Sequence, residues 1–197
     1  MRLRSVVVAA HPAVEPVSLG EAKAHLGILP DQTDDDGMIQ AMVSTSRRLI
    51  ERRLGLALAT QQLRCRYDST DGDGWFRHGQ LGPAVLRLPV GPVLAGEEYA
   101  EALDVDGVAV SSSTYDVDAD SSSIRFSTVP DVSDEATLTI TYWAGPTGPL
   151  APQFRSALLL YVGHLYANRE AAGSGPVSEV PMAFETLLAS ESVTGAF

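Results

Sequence analysis

The chain has 197 residues and a single cysteine, Cys65, which excludes an internal disulfide and a cysteine-cluster metal site. That length suffices for one domain or two small lobes, burying about 70% of the unfolded surface without a covalent or metal staple. The net charge of −11 is unevenly spread: residues 1–66 carry nine basic and seven acidic groups, residues 67–150 three and fourteen, and residues 151–197 two and four. The middle of the chain therefore repels phosphate, which argues against tight nucleic-acid binding by that part.

No run approaches the roughly 18 apolar residues of a membrane span. The start, Met1-Arg2-Leu3-Arg4-Ser5 followed by Val6-Val7-Val8-Ala9-Ala10, imitates a signal peptide. Its apolar part is only about half a dozen residues and runs into His11-Pro12, so no export is expected. The expectation is a soluble protein of a reducing compartment, with no membrane contact.

In chain order, Ser18-Leu19-Gly20-Glu21 reads as a capping box, in which the Ser18 hydroxyl and Glu21 carboxylate satisfy reciprocal amides. Leu19, Ala22 and Leu26 fall on one side of a short helix that Gly27 stops. A second helix follows Thr33, with Asp34, Asp35 and Asp36 at the positive end of its dipole and Arg47, Arg48, Arg52 and Arg53 in its last two turns. Met38, Met42, Leu49 and Leu54, with Ile39 and Ile50, form its buried stripe, and Gly55 ends it.

Short alternating runs follow at Gln61–Tyr67, Val85–Leu88, Val93–Leu103, Val108–Val110, Tyr115–Val117, Ser123–Phe126 and Thr137–Trp143. Turn signals separate them, and Asp106-Gly107 marks the clearest hairpin. This pattern predicts an antiparallel sheet or small sandwich. Pro152 then opens a third helix, apolar over most of its circumference through Ala157, Leu158, Tyr161, Val162 and Leu165. After Gly173–Pro176, Pro181 opens a short helix through Leu187-Leu188, followed by a tail to Phe197. The fold class expected is α+β: a helical core from the N- and C-terminal segments with an inserted antiparallel β-rich lobe. The divisions are 1–58, an N-terminal helical part of the core; 59–146, the β insertion; 147–178, a C-terminal core helix and hinge; and 179–197, a terminal segment.

Chemistry-bearing motifs are sparse. Asp71, Asp73 and Gly74 hint at a calcium loop, but Gly82 stands where the bidentate glutamate belongs, and an acidic surface turn explains them. His11, His25, His78 and His164 are scattered, and no HExxH, GxSxG, P-loop or GxGxxG occurs. His164 reads as a hydrogen-bonded structural residue. Cys65 alternates with Leu63 and Tyr67 and reads as a small buried apolar residue. No catalytic, cofactor or metal residue is predicted. The cluster Arg47, Arg48, Arg52 and Arg53 has three readings: helix-end electrostatics, a phosphate contact, or salt bridges to a neighbouring subunit's acidic lobe.

The order of segments carries a resemblance. Pro16-Val17-Ser18-Leu19-Gly20-Glu21-Ala22-Lys23-Ala24-His25-Leu26 is followed by an acidic turn and a helix ending Ile50-Glu51-Arg52-Arg53-Leu54-Gly55. Then come Leu88-Pro89-Val90-Gly91-Pro92-Val93, Asp104-Val105-Asp106-Gly107 and Thr139-Ile140-Thr141-Tyr142-Trp143-Ala144-Gly145. His164-Leu165-Tyr166-Ala167-Asn168-Arg169-Glu170 and Val180-Pro181 with Leu187-Leu188 complete the series. In this order the chain resembles the head–tail connector (adaptor) proteins of tailed bacteriophages that carry a β insertion, and the related adaptors of gene transfer agents. It departs from them at the acidic Gly96-Glu97-Glu98-Tyr99 and in a tail lacking an aromatic-basic ending.

The resemblance implies a non-enzymatic virion structural protein at the head–tail junction, assembled in the bacterial cytoplasm and needing no cofactor. It implies a homo-oligomeric ring, typically of twelve subunits, joined to the portal protein. On the other side the ring meets a head-completion (stopper) or tail-terminator protein, and DNA passes through its centre. On this reading the portal contact falls to Val180, Phe184, Leu187, Leu188, Val193 and Phe197, against the alternative of a helix folded back on its own core. Arg47, Arg48, Arg52 and Arg53 would contact the neighbouring subunit. The competing function is a small ligand- or carbohydrate-binding β module of another phage structural protein; a hydrolase ranks third.

Overall fold

The computed structural model describes residues 2–68, 84–94, 101–128, 136–169 and 184. The fold is mixed α+β, with antiparallel sheets throughout. Two compact units interleave along the chain: Met1–Ala13 with Ala59–Thr147, and Val14–Leu58 with Gly148–Phe197.

The helical unit contains α1 (Leu19–Leu26), α2 (Asp36–Leu54) and α3 (Pro152–Ala167). The Ser18 hydroxyl accepts the Glu21 amide at 3.2 Å, satisfying one of the free donors at the start of α1. The other half of the expected capping box is diverted, because Arg155 of α3 donates to both Glu21 oxygens at 2.6 and 2.7 Å. α2 stops at Gly55, whose φ of 67° is a left-handed conformation that a glycine adopts without a Cβ clash. Val17, Ala22, Ile39, Val43, Ile50, Leu58, Ala157, Leu158, Val162 and Phe184 form this unit's core. Lys23, only 4% exposed, is held by the carbonyls of Pro30 and Gln32 and by Asp36, which fixes the α1–α2 connection.

The β unit has nine strands among the described residues: β1 (Arg2–Ala10), β2 (Gln61–Asp68), β3 (Ala84–Arg87), β4 (Val93–Leu94), β5 (Ala102–Val105), β6 (Val108–Ala109), β7 (Tyr115–Asp118), β8 (Ser123–Phe126) and β9 (Thr137–Ala144). One sheet runs β1-β2-β9-β5-β6 with β4 also on β9; the other runs β3-β8-β7. Alternation along β2 and β9 puts Leu63, Cys65 and Tyr67 opposite Tyr142, Ile140 and Leu138 on one buried face. Asp106 and Gly107, at φ 51° and 81°, make the primed turn that the dipeptide predicts, and Asp106 also accepts the Thr137 amide at 2.8 Å.

Residues 2–10, placed in the helical part by the sequence reading, form β1 in the β unit, antiparallel to β2. Their run of valines lacks the apolar–polar alternation that marks a half-buried strand, so periodicity alone did not reveal it.

Candidate functional site

A structural role would be written in surfaces, so the residues to place are those expected to meet other chains. Arg47 does not belong with the exposed arginines. Its side chain is 2% exposed, and its guanidinium donates to Glu15 Oε2 at 2.7 Å and to Glu51 Oε2 at 2.6 Å. Glu51 in turn accepts the Leu58 amide at 2.9 Å, and Glu15 accepts the Ser44 hydroxyl at 2.8 Å. Position 47 lies one turn from Val43 and close to Ile50, on the stripe that α2 turns to the core. Four residues on, Glu51 supplies the counter-charge; Glu15, across the unit, completes the fork. The expected contact of Arg47 with a neighbouring subunit is therefore corrected: its donors serve its own chain. Arg48, Arg52 and Arg53 are exposed in the last turns of α2, where positive charge suits the carbonyl end of the dipole.

Phe184 is also corrected. It is fully buried, with its ring 5.0 Å from that of Tyr161 on α3, so it contributes to its own core and offers no surface to a portal. Val180, Leu187, Leu188, Val193 and Phe197 lie outside the described residues, as does the Asp71–Gly74 acidic turn.

On the β unit, the face opposite the core forms an open groove lined by Arg4, Arg64, Arg66, Thr139, Asp104 and Asp106 among others. The strands alternate, so the arginines of β2 stand beside the threonines of β9, with Arg64 reaching Thr141 Oγ1 at 3.4 Å. Asp118 on β7 is held below the usual carboxylate range by the amide and hydroxyl of Ser121, with Arg125 adding to the effect. Asp118 therefore keeps its negative charge further into acid than an ordinary carboxylate.

Groups that elsewhere serve catalysis are built into the frame. The Cys65 thiol is fully buried and its pKa is pushed up to about 11 by burial, only partly offset by its contact with the Tyr142 hydroxyl. Tyr142 donates onward to the Val90 carbonyl at 3.1 Å. His164 is partly buried, its ring 5.8 Å from that of Tyr161 and beside the Asn168 amide. No group of three His, Cys, Asp or Glu able to hold a metal occurs among the described residues. No described helix is long and apolar enough to cross a membrane.

The architecture is thus an α+β chain made of a helical unit and an antiparallel β unit. Three solved structures from gene transfer agent particles share this fold. A chain in the neck of an empty gene transfer agent (GTA) particle, solved with C6 symmetry, matches at TM-score 0.70 and 16% identity over 95% of both chains. A chain in the virion of a native GTA particle matches at 0.66 and 17%, covering 95% of this chain and 94% of that one. A chain in the neck of a native GTA particle with C12 symmetry matches at 0.65 and 16%, with the same coverage. At these identities the likeness establishes a common fold. No protein-family profile matches the chain, and no curated protein sequence matches it.

Proposed function

We propose that this chain is a structural subunit of the neck of a tailed, phage-like particle: an adaptor that forms a ring between the portal and the tail-completion proteins. The observation that carries this reading is the fold likeness to GTA neck chains across 95% of this chain and nearly all of theirs, so both units are included. The C6 and C12 symmetries of those necks support a homo-oligomeric ring, and twelve is the subunit number proposed here. The ring meets a head-completion (stopper) or tail-terminator protein on its distal side, and DNA passes through it with only passive contact. Assembly takes place in the bacterial cytoplasm. The role is structural and involves no turnover.

Within that ring, Arg48, Arg52 and Arg53 face acidic groups of the neighbouring subunit, and the charge complementarity sets orientation. Portal docking falls to the terminal segment through Val180, Leu187, Leu188, Val193 and Phe197, with Phe184 anchoring it to α3. Localisation of the chain in purified particles by cryo-electron microscopy tests the function; density at the neck is the expected result, and particles with no copy there overturn it. Removal of residues 185–197, which takes away Leu187, Leu188, Val193 and Phe197, tests the docking part while leaving Phe184 in place. Particles lacking that tail should fail to join heads to tails, and normal joining would remove the docking proposal alone.

A further inference from the structure

The six-stranded sheet has two unlike ends. At one end β1 is an edge strand: among the described residues it pairs with β2 only. Val6 and Val8 stand opposite Cys65 and Leu63, on the face that is fully buried one strand further in. Yet Val6 and Val8 are 38% and 39% exposed, and Val7, on the other face beside Arg64, is 50% exposed. The apolar layer of the core thus runs off the edge of the sheet uncovered. Edges of this kind are normally protected by charge, proline or a bulge. Here the irregularities lie between Leu3 and Ser5 and between Val8 and Ala10, and the charges are Arg2 and Arg4, so Ser5–Val8 is regular and unguarded.

At the other end the edge is β6, exposed at both residues, with Val108 at 70%. Asp104 and Asp106 flank it, whereas the charged residues of the β1 strand itself are Arg2 and Arg4, the latter 3.5 Å from Asp68 of β2. A two-fold contact of β1 with β1 would bring like charges together. Contact of β1 with the β5–β6 end of another copy pairs opposite charges and uses two different patches, as a closed ring requires.

We infer that β1 of one copy lies along the β5–β6 edge of the next, so that the sheet continues from subunit to subunit and the exposed valines at the two ends are covered together. This inference rests on the ring reading above and adds the surface through which the ring closes.

Hydrogen exchange of the wild-type chain, as monomer and as ring, tests it together with the size distribution of Val7→Lys and Val7→Thr. In the ring, amides of Ser5–Val8 and of the β5–β6 hairpin should exchange at least about tenfold more slowly than in the monomer. Val7→Lys should raise the concentration for half-assembly at least about tenfold at an unchanged melting temperature, while Val7→Thr assembles as wild type. Should Val7→Lys fail to fold, the exchange comparison decides alone. Rings whose β1 amides exchange as in the monomer overturn this interface and leave the ring reading intact. Protection already complete in the monomer also overturns it, by showing that a segment of the same chain covers the edge. A wild type found as a ring neither in solution nor in particles overturns both readings.

Discussion

Arg47 sits between two carboxylates, of which Glu51 is buried and also caps the Leu58 amide. Removing one member of a buried ion pair strands the other's charge away from water, which costs about 3–5 kcal/mol. Arg47→Ala should therefore lower the chain's unfolding free energy by that amount in urea titration, whereas Arg52→Ala, at an exposed site, should change it by less than about 0.5 kcal/mol. Equal, small effects at the two positions would refute the clamp. Cys65 makes a second residue-scale case. Its thiol ionises near its ordinary value of 9.0 when unfolded but near 11 when folded. The folded state thus holds its proton longer, so the stabilisation is complete below pH 9 and is lost as pH rises from 9 to 11, by about 2–3 kcal/mol at one pH unit per 1.36 kcal/mol. Tyr67 and Tyr142, also raised by burial, add in the same direction at higher pH. Melting curves from pH 7 to 11 should show the decline, and Cys65→Ala should flatten its first part. Alkylation of Cys65 should occur only at the rate of unfolding. Arg47 also shows what sequence hides: its i,i+4 partner Glu51 was in view, but Glu15 is 32 residues away, and nothing local says that the two converge.

At the scale of elements, the legible parts were those with local chemistry at their ends. α1 lies between Ser18 and Gly27, α2 ends at Gly55, and α3 begins at Pro152, each boundary set by a cap or breaker within one turn. β2 and β9 showed themselves by alternation, since one face is buried and the other is not. β1 lacked that signal because its valine run, Val6–Val8, is apolar on both faces, and its partner residues lie 52 (Ala10 to Gln62) to 66 (Arg2 to Asp68) positions downstream; strand pairing at that separation leaves no local trace. The strand β9 leaves the sheet at Gly145, where close packing requires a missing side chain. A Cβ there would stand 2.7 Å from the Thr60 Cα and 3.0 Å from its amide nitrogen, both backbone atoms that cannot swing aside. Gly145→Ala should therefore destabilise the β unit by about 1–3 kcal/mol, as overpacking does elsewhere. Gly148→Ala, where a Cβ would meet nothing within 4 Å, is the control and should be close to neutral. Similar melting temperatures for the two would show that Thr60 can yield.

For the whole molecule, the governing quantity is charge and where it lies. The net −11 comes from the 67–150 segment, while the exposed arginines at 48, 52 and 53 sit on α2 in the other unit. On the proposed role, in which DNA moves through the ring, nothing is gained from holding phosphate, because each neutralised phosphate releases counterions and tightens the grip. The α2 arginines could contradict this, as could Arg4, Arg64 and Arg66 on the β unit, since three cations close together suffice for a weak phosphate contact. The two assignments separate in a gel-shift experiment at about 0.15 M salt, where the Debye length is about 8 Å and only close contacts survive. The intact chain should leave duplex DNA unshifted at micromolar concentration. The triple variant Arg48→Ala, Arg52→Ala, Arg53→Ala should behave identically towards DNA but assemble poorly into rings. A shifted band that vanishes in the triple variant, with ring assembly unimpaired, would move these arginines from the subunit interface to the channel. The terminal arginines were legible from sequence as a cluster but not as a function, because a cation at a helix end looks the same whether it faces solvent, a carboxylate or a phosphate.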